Sequence, residues 1–140
     1  MEWLKVSIDY GVIGLLVIMS VVGMGLAVER FLVYRQVRVE NFANRKSLEL
    51  ALTHKLHLIA TIGSNAPYIG LLGTVMGIML TFYTMGREGM TDANKIMVGL
   101  ALALKVTAVG LLVAIPAVVC YNLLLRRVKV LLLEWDIYHG

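Results

Sequence analysis

Residues 58–85 read LIATIGSNAPYIGLLGTVMGIMLTFYTM, 28 positions without one charged side chain. A helix rises about 1.5 Å per residue, so about 20 apolar residues cross a hydrocarbon layer roughly 30 Å thick. The run lacks the alternation of a barrel strand, and in lipid a helix closes its own backbone hydrogen bonds within one segment. Two further runs lie on either side of it. Residues 10–28 form 19 uncharged positions between Asp9 and Glu29, and residues 106–125 form 20 more, ending at Arg126 and Arg127. An apolar stretch at 96–104 extends the last run upstream, interrupted only by Lys105. The expected fold class is all-α, a polytopic membrane protein with three long transmembrane helices.

Composition agrees. Of 140 residues, 59% are hydrophobic and 16% charged, against about 25% charged in soluble domains. Mean hydropathy is +0.82. A water-soluble enzyme of this length has no core large enough to hide such a surplus. The single cysteine, Cys120, excludes an intrachain disulfide and a thiolate zinc cluster. The first run reads as a retained membrane helix and not as a signal peptide, because Glu2, Lys5 and Asp9 make a poor basic n-region and Val28-Glu29-Arg30 makes a poor cleavage site.

Loop charges set the expected orientation. Residues 29–57 carry Arg30, Arg35, Arg38, Arg45, Lys46 and Lys55, and the tail adds Arg126, Arg127 and Lys129. The opposite side has Lys5, with Arg87 and Lys95 offset by Glu88 and Asp92. The positive-inside rule then puts the N-terminus outside and the C-terminus in the cytoplasm. The expected single membrane domain has helix 1 at about 8–30, a cytoplasmic helical connection at about 31–57 and helix 2 at about 58–86. Helix 3 follows at about 94–126, with a tail at 127–140. Leu48, Leu52, Leu56 and Ile59 recur at helical spacing in the connection. Trp135 and Tyr138 in the tail suit a headgroup anchor or a contact with a neighbouring chain.

The second and third helices carry stripes of small residues. Gly63, Ala66, Gly70, Gly73, Thr74, Gly77, Thr81 and Thr84 share one face of the second. Gly99, Ala103, Thr107, Gly110, Ala114, Ala117 and Tyr121 follow each other every three or four residues along the third. Such stripes mostly let helix backbones approach closely in lipid. The sharper reading is that hydroxyls on a glycine-rich face line a cavity holding something else. The two are compatible, since a packed seam and a pore wall can adjoin. Neither of the uncharged runs 58–85 and 106–125 contains Asp, Glu or His. Proton transport needs an intramembrane ionisable group, so a proton-carrying carboxylate has to come largely from another chain.

Other features read more plainly. Lys105 lies 21 residues before Arg126, about 30 Å along the axis, and suits a lipid-facing lysine that snorkels to the interface. Ser64-Asn65-Ala66-Pro67 reads as a helix restart or kink, and Pro116 loosens the third helix around the Leu112 carbonyl. His54 and His57 share a helix side but lack a third ligand, so a solvated helix is the default over a metal site. No phosphate-binding, dinucleotide-binding or hydrolase motif is present, and the dispersed basic residues do not suggest nucleic acid. No enzyme activity and no cofactor are expected.

Two runs carry a resemblance. Residues 66–79, APYIGLLGTVMGIM, resemble the second-helix signature of the ExbB/TolQ/MotA proton-channel family. Residues 106–122, VTAVGLLVAIPAVVCYN, are similar to its third-helix signature and lean toward ExbB. Glu29-Arg30 matches the pair that closes the family's first helix. The resemblance implies a cyclic homo-oligomer, a homopentamer, in the bacterial inner membrane. It also implies an ExbD-like single-helix partner that supplies the proton-carrying carboxylate, and a TonB-like protein that is driven for nutrient uptake across the outer membrane. The family's pore threonines map to Thr74 and Thr107. Gly70, Gly77, Thr81, Ala103, Gly110 and Ala114 are the accompanying pore-lining or partner-facing candidates, and Glu29, Arg30, Tyr121 and Asn122 are candidates for helix-end and interface roles. Many ExbB-like proteins place a glutamate five positions before the third-helix threonine, where this chain has Leu102. The connection is also shorter than in larger members. The alternatives are a TolQ-like subunit for envelope integrity and a structural protein whose glycine faces only support homo-oligomers.

Overall fold

The computed structural model describes residues 2–89 and 92–140. Helix α1 spans Glu2–Gln36. A 3₁₀ turn at Val39–Asn41 leads to the short helix α2, Arg45–Leu52. Helix α3 covers Leu56–Glu88, and α4 covers Ala93–His139. Among the described residues, three of the four α-helices, α1, α3 and α4, are long and apolar enough to cross a membrane, and the chain is a multi-pass membrane protein. Its exposed surface is inverted relative to a soluble protein: Ile18, Val21 and Leu112 are 62%, 67% and 72% exposed. Lipid or neighbouring chains suit such a surface.

Local chemistry sets the helix ends. Asn44 caps α2, its side chain accepting from the Ser47 N–H at 2.7 Å, and Asp92 caps α4 through the Asn94 N–H at 3.0 Å. These short side chains satisfy N–H groups that a helix start leaves unpaired. Gly89 stops α3 at φ +68°, its N–H bonding the Met85 carbonyl. Glycine takes this left-handed conformation without steric cost.

The helices pack antiparallel. Along α3 and α4, Gly63 meets Val118, Gly70 meets Gly110, Gly77 meets Ala103 and Thr81 meets Gly99. Along α1 and α3, Lys5 bonds Thr81, Val12 lies over Gly73, and Ile62 lies over Gly23. One core lies inside this three-helix layer, around Leu16, Ile62, Ala66, Val113, Ala114 and Ala117. A second lies where α2 tucks between the far ends of α1 and α4, with Tyr34, Leu48, Leu52, Leu56, Leu124 and Val128 among its members.

Several sequence expectations change in detail. α1 extends beyond residues 8–30 at both ends, and α4 continues unbroken from the expected helix 3 through the expected tail. The connection is less helical than its spacing suggests. Leu48, Leu52, Leu56 and Ile59 are all buried, but the helix breaks between Leu52 and Leu56. There the Thr53 N–H and hydroxyl both turn back onto the Glu49 carbonyl, at 2.9 and 2.8 Å, and Lys55 adopts a left-handed φ of 66°. No restart occurs at 64–67. α3 runs through Pro67, while the Ser64 hydroxyl and Asn65 amide donate to the Thr61 carbonyl.

Candidate functional site

The α3 and α4 backbones come close together where Gly70 crosses Gly110. A Cβ on Gly110 would stand 2.8 Å from the Ala66 oxygen and 3.0 Å from the Gly70 Cα. One on Gly70 would stand 3.0 Å from the Val106 oxygen. Only glycine fits where two backbones come this near. Gly77 lies against Ala103, and Ala114 is buried alongside. Within one chain the two small-residue stripes therefore face each other.

The backbone approach brings two hydroxyls together one turn from the crossing. Thr74, 5% exposed, donates to the Ala103 carbonyl at 2.8 Å and lies 3.2 Å from its own-helix Gly70 carbonyl. Its hydroxyl also contacts the Thr107 hydroxyl. Thr107 is only half-buried and reaches the Gly70 carbonyl at 3.4 Å. Each hydroxyl has one proton and two lone pairs. With the Thr74 proton on Ala103 and the Thr107 proton on Thr74, the Thr107 oxygen keeps its acceptor capacity at the open edge of the seam. Thr81, one turn past Gly77, bonds the Gly77 carbonyl at 2.8 Å and accepts from Lys5 at 3.3 Å.

The helix-end candidates separate. Arg30 is 6% exposed, donating to the Ala51 carbonyl at 3.2 Å and to Glu29 at 3.0 Å. Lys55 approaches the same Glu29 oxygen at 3.7 Å. This cluster ties α1 to the end of α2 and the start of α3. Tyr121 packs against the second core, whereas Asn122 is exposed. Lys105 is exposed. Trp135 is turned inward: its indole donates to the Phe42 carbonyl at 3.0 Å and stacks on His139 at 4.1 Å. Tyr138 stays exposed.

Sequence reasoning passed over two residues. Tyr34 is 2% exposed and its hydroxyl bonds the Leu52 carbonyl. Its position one turn after Arg30 was the available signal, since both lie on the α1 face that meets α2. Lys5 counted only as a loop charge, yet its ammonium reaches across to α3. Among the described residues no cluster of three or more His, Cys, Asp or Glu side chains could hold a metal ion.

Comparison with known proteins bears on this geometry. The profile of the MotA/TolQ/ExbB proton channel family matches residues 25–137. The biopolymer transport protein ExbB of Aquifex aeolicus is 54% identical over 140 residues, covering 100% of this chain and 95% of that protein. A putative biopolymer transport protein ExbB-like 2 of Helicobacter pylori is 55% identical over 136 residues, 97% of this chain and 91% of its own. The Tol-Pal system protein TolQ of Haemophilus influenzae is 41% identical over 93 residues, 66% of this chain but 40% of its own. With a family profile across most of its length and full-length relatives above half identity, the chain belongs to the MotA/TolQ/ExbB proton channel family and is ExbB-like within it.

Proposed function

We propose that this chain is the scaffold and channel subunit of a motor driven by the proton-motive force in the bacterial inner membrane. Its N-terminus faces outside and its C-terminus the cytoplasm. Copies form a cyclic homo-oligomer, a pentamer by family resemblance, around an ExbD-like single-helix partner, and the assembly drives a TonB-like protein for nutrient uptake.

One observation carries the reading: the paired Thr74 and Thr107 hydroxyls lie in stretches of α3 and α4 that contain no Asp, Glu or His. A hydroxyl does not titrate in the working range, so the pair cannot store a proton. It can hold a carboxyl group in place. In the arrangement above, the Thr107 oxygen accepts from a protonated partner carboxyl, while Thr74 fixes the Thr107 hydroxyl and is itself fixed by the Ala103 carbonyl. The glycines and alanines of the stripe serve the α3–α4 seam, and Thr107 at its edge meets the partner. Similarity to an ExbB protein at 54% identity over the whole chain, against 41% over 66% of the chain for a TolQ protein, favours TonB-type over Tol-type output.

Proteoliposomes containing the chain with and without an ExbD-like subunit test the reading. Proton flux appears only in the co-assembled complex. Thr107→Val lowers it by about tenfold or more, the scale of one lost hydrogen bond to a reacting group, and Thr107→Ser restores it. Flux from the chain alone, or full flux in Thr107→Val, rejects the proposal.

A further inference from the structure

A cavity of about 640 Å³ opens between the N-terminal end of α1, the C-terminal end of α3 and the first turns of α4, within the roughly 300–1,000 Å³ range of small-molecule sites. It lies apart from the threonine pair. Its apolar wall includes Leu80, Val98 and Leu102, and its polar lining includes Lys5, Thr81 and Glu88. Lys95 also lines it and has a partner of its own within the chain.

Lys5 decides the chemistry. Its ammonium donates to one neutral acceptor, the Thr81 hydroxyl, at 3.3 Å, and among the described residues no carboxylate forms an ion pair with it. Asp9, one turn along α1, buries its Oδ1 without a hydrogen-bond partner. The seat for Lys5 depends on a missing side chain: a Cβ on Gly99 would stand 2.8 and 2.9 Å from Thr81 atoms and 3.4 Å from the Lys5 nitrogen. An ammonium has three donors and favours an anionic acceptor over a hydroxyl.

Depth narrows the anion. Lys5 precedes Glu29 by 24 residues, about 36 Å along α1. The hydrocarbon layer is about 30 Å thick and the whole bilayer about 40–45 Å. With Glu29 at one edge of the hydrocarbon, Lys5 lies in the headgroup layer of the opposite leaflet. The anion at that depth in every membrane is lipid phosphate, and the apolar wall below Lys5 suits the glycerol and upper acyl chain.

We propose that this cavity holds the phosphate of a membrane phospholipid, with Lys5 as its cationic ligand and the Thr81 hydroxyl beside it. The site depends on the helices spanning a bilayer and is independent of the proton-channel reading.

Native mass spectrometry of the purified chain in detergent tests it, with three probes: dioctanoyl phosphatidylethanolamine, dioctanoylglycerol and inorganic phosphate. The phospholipid is retained, and the phosphate-free diacylglycerol and inorganic phosphate are not. Lys5→Gln and the cavity-filling Val98→Trp each weaken retention by about tenfold or more. Lys5→Arg recovers it, and Lys105→Gln, a membrane-level lysine outside the cavity, leaves it unchanged. Helicity by circular dichroism confirms that each variant is folded. Equal retention by wild type and Lys5→Gln, an equal loss in Lys105→Gln, or equal retention of diacylglycerol overturns the proposal. Inorganic phosphate held as tightly as the lipid makes the ligand a free anion and overturns the assignment to lipid.

Discussion

Tyr34 shows how much one hydroxyl can hold at the residue scale. Its bond to the Leu52 carbonyl closes the end of α2 inside the second core. Tyr34→Phe keeps the ring and leaves that carbonyl buried without its donor, a loss of about 1–2 kcal/mol, read as a lower thermal midpoint in detergent. An unchanged midpoint would mean that another donor reaches Leu52. Asp9 works in the opposite direction. Its Oδ1 is buried and unpartnered, and a neutral orphan costs less than a charged one. Asp9→Asn is therefore expected to raise the midpoint by the equivalent of about 1 kcal/mol, and a fall in the same melt would show that the carboxylate is paired in the membrane. Residues differ in how well the sequence announces them. Thr74 and Thr107 stand out as hydroxyls on glycine faces that lack ionisable groups. Tyr34 and Lys5 do not, because a tyrosine near a helix end and a lysine before an apolar run have ordinary interfacial explanations.

Among the elements, the α3–α4 seam is the least forgiving. A Cβ on Gly110 meets α3 backbone at both Ala66 and Gly70, and neither can yield without moving a helix. Gly110→Ala is expected to lower stability by about 2 kcal/mol or more, in the range of overpacked cores. Gly25→Ala, where nothing lies within 4 Å, keeps the midpoint at or above wild type. If both variants melt alike, close backbone approach is not what holds α3 to α4. The seam was legible because spacings of three and four residues survive in any straight helix. The break between α2 and α3 was not. Residues 53–55 contain neither glycine nor proline, and the four leucine and isoleucine positions keep their phase across it. The stop comes from Lys55 in a left-handed conformation, which costs a non-glycine residue about 1–2 kcal/mol and leaves no mark on the hydrophobic pattern.

For the whole molecule, the question is what joins its two cores. The connection between α1 and α2 is clasped to the far end of α4 by the Trp135 indole on the Phe42 carbonyl and by Arg45 at 3.3 Å from Asp136. The ion pair is half-exposed and contributes little, so the indole carries most of the clasp. Trp135→Phe is expected to speed limited proteolysis within residues 37–44 severalfold while the membrane helices stay protected. Unaltered cleavage would place the clasp elsewhere. The clasp also has a mechanical meaning, because α4 is one unbroken 47-residue helix, a rod about 70 Å long. A rod gripped at the Gly110 crossing is a lever. Tilting it there by 5° would swing Ile137 sideways by about 3.5 Å, taking α2 and the connection with it. A displacement too small to open the seam at the fulcrum thus becomes a stroke large enough to be felt at the other end.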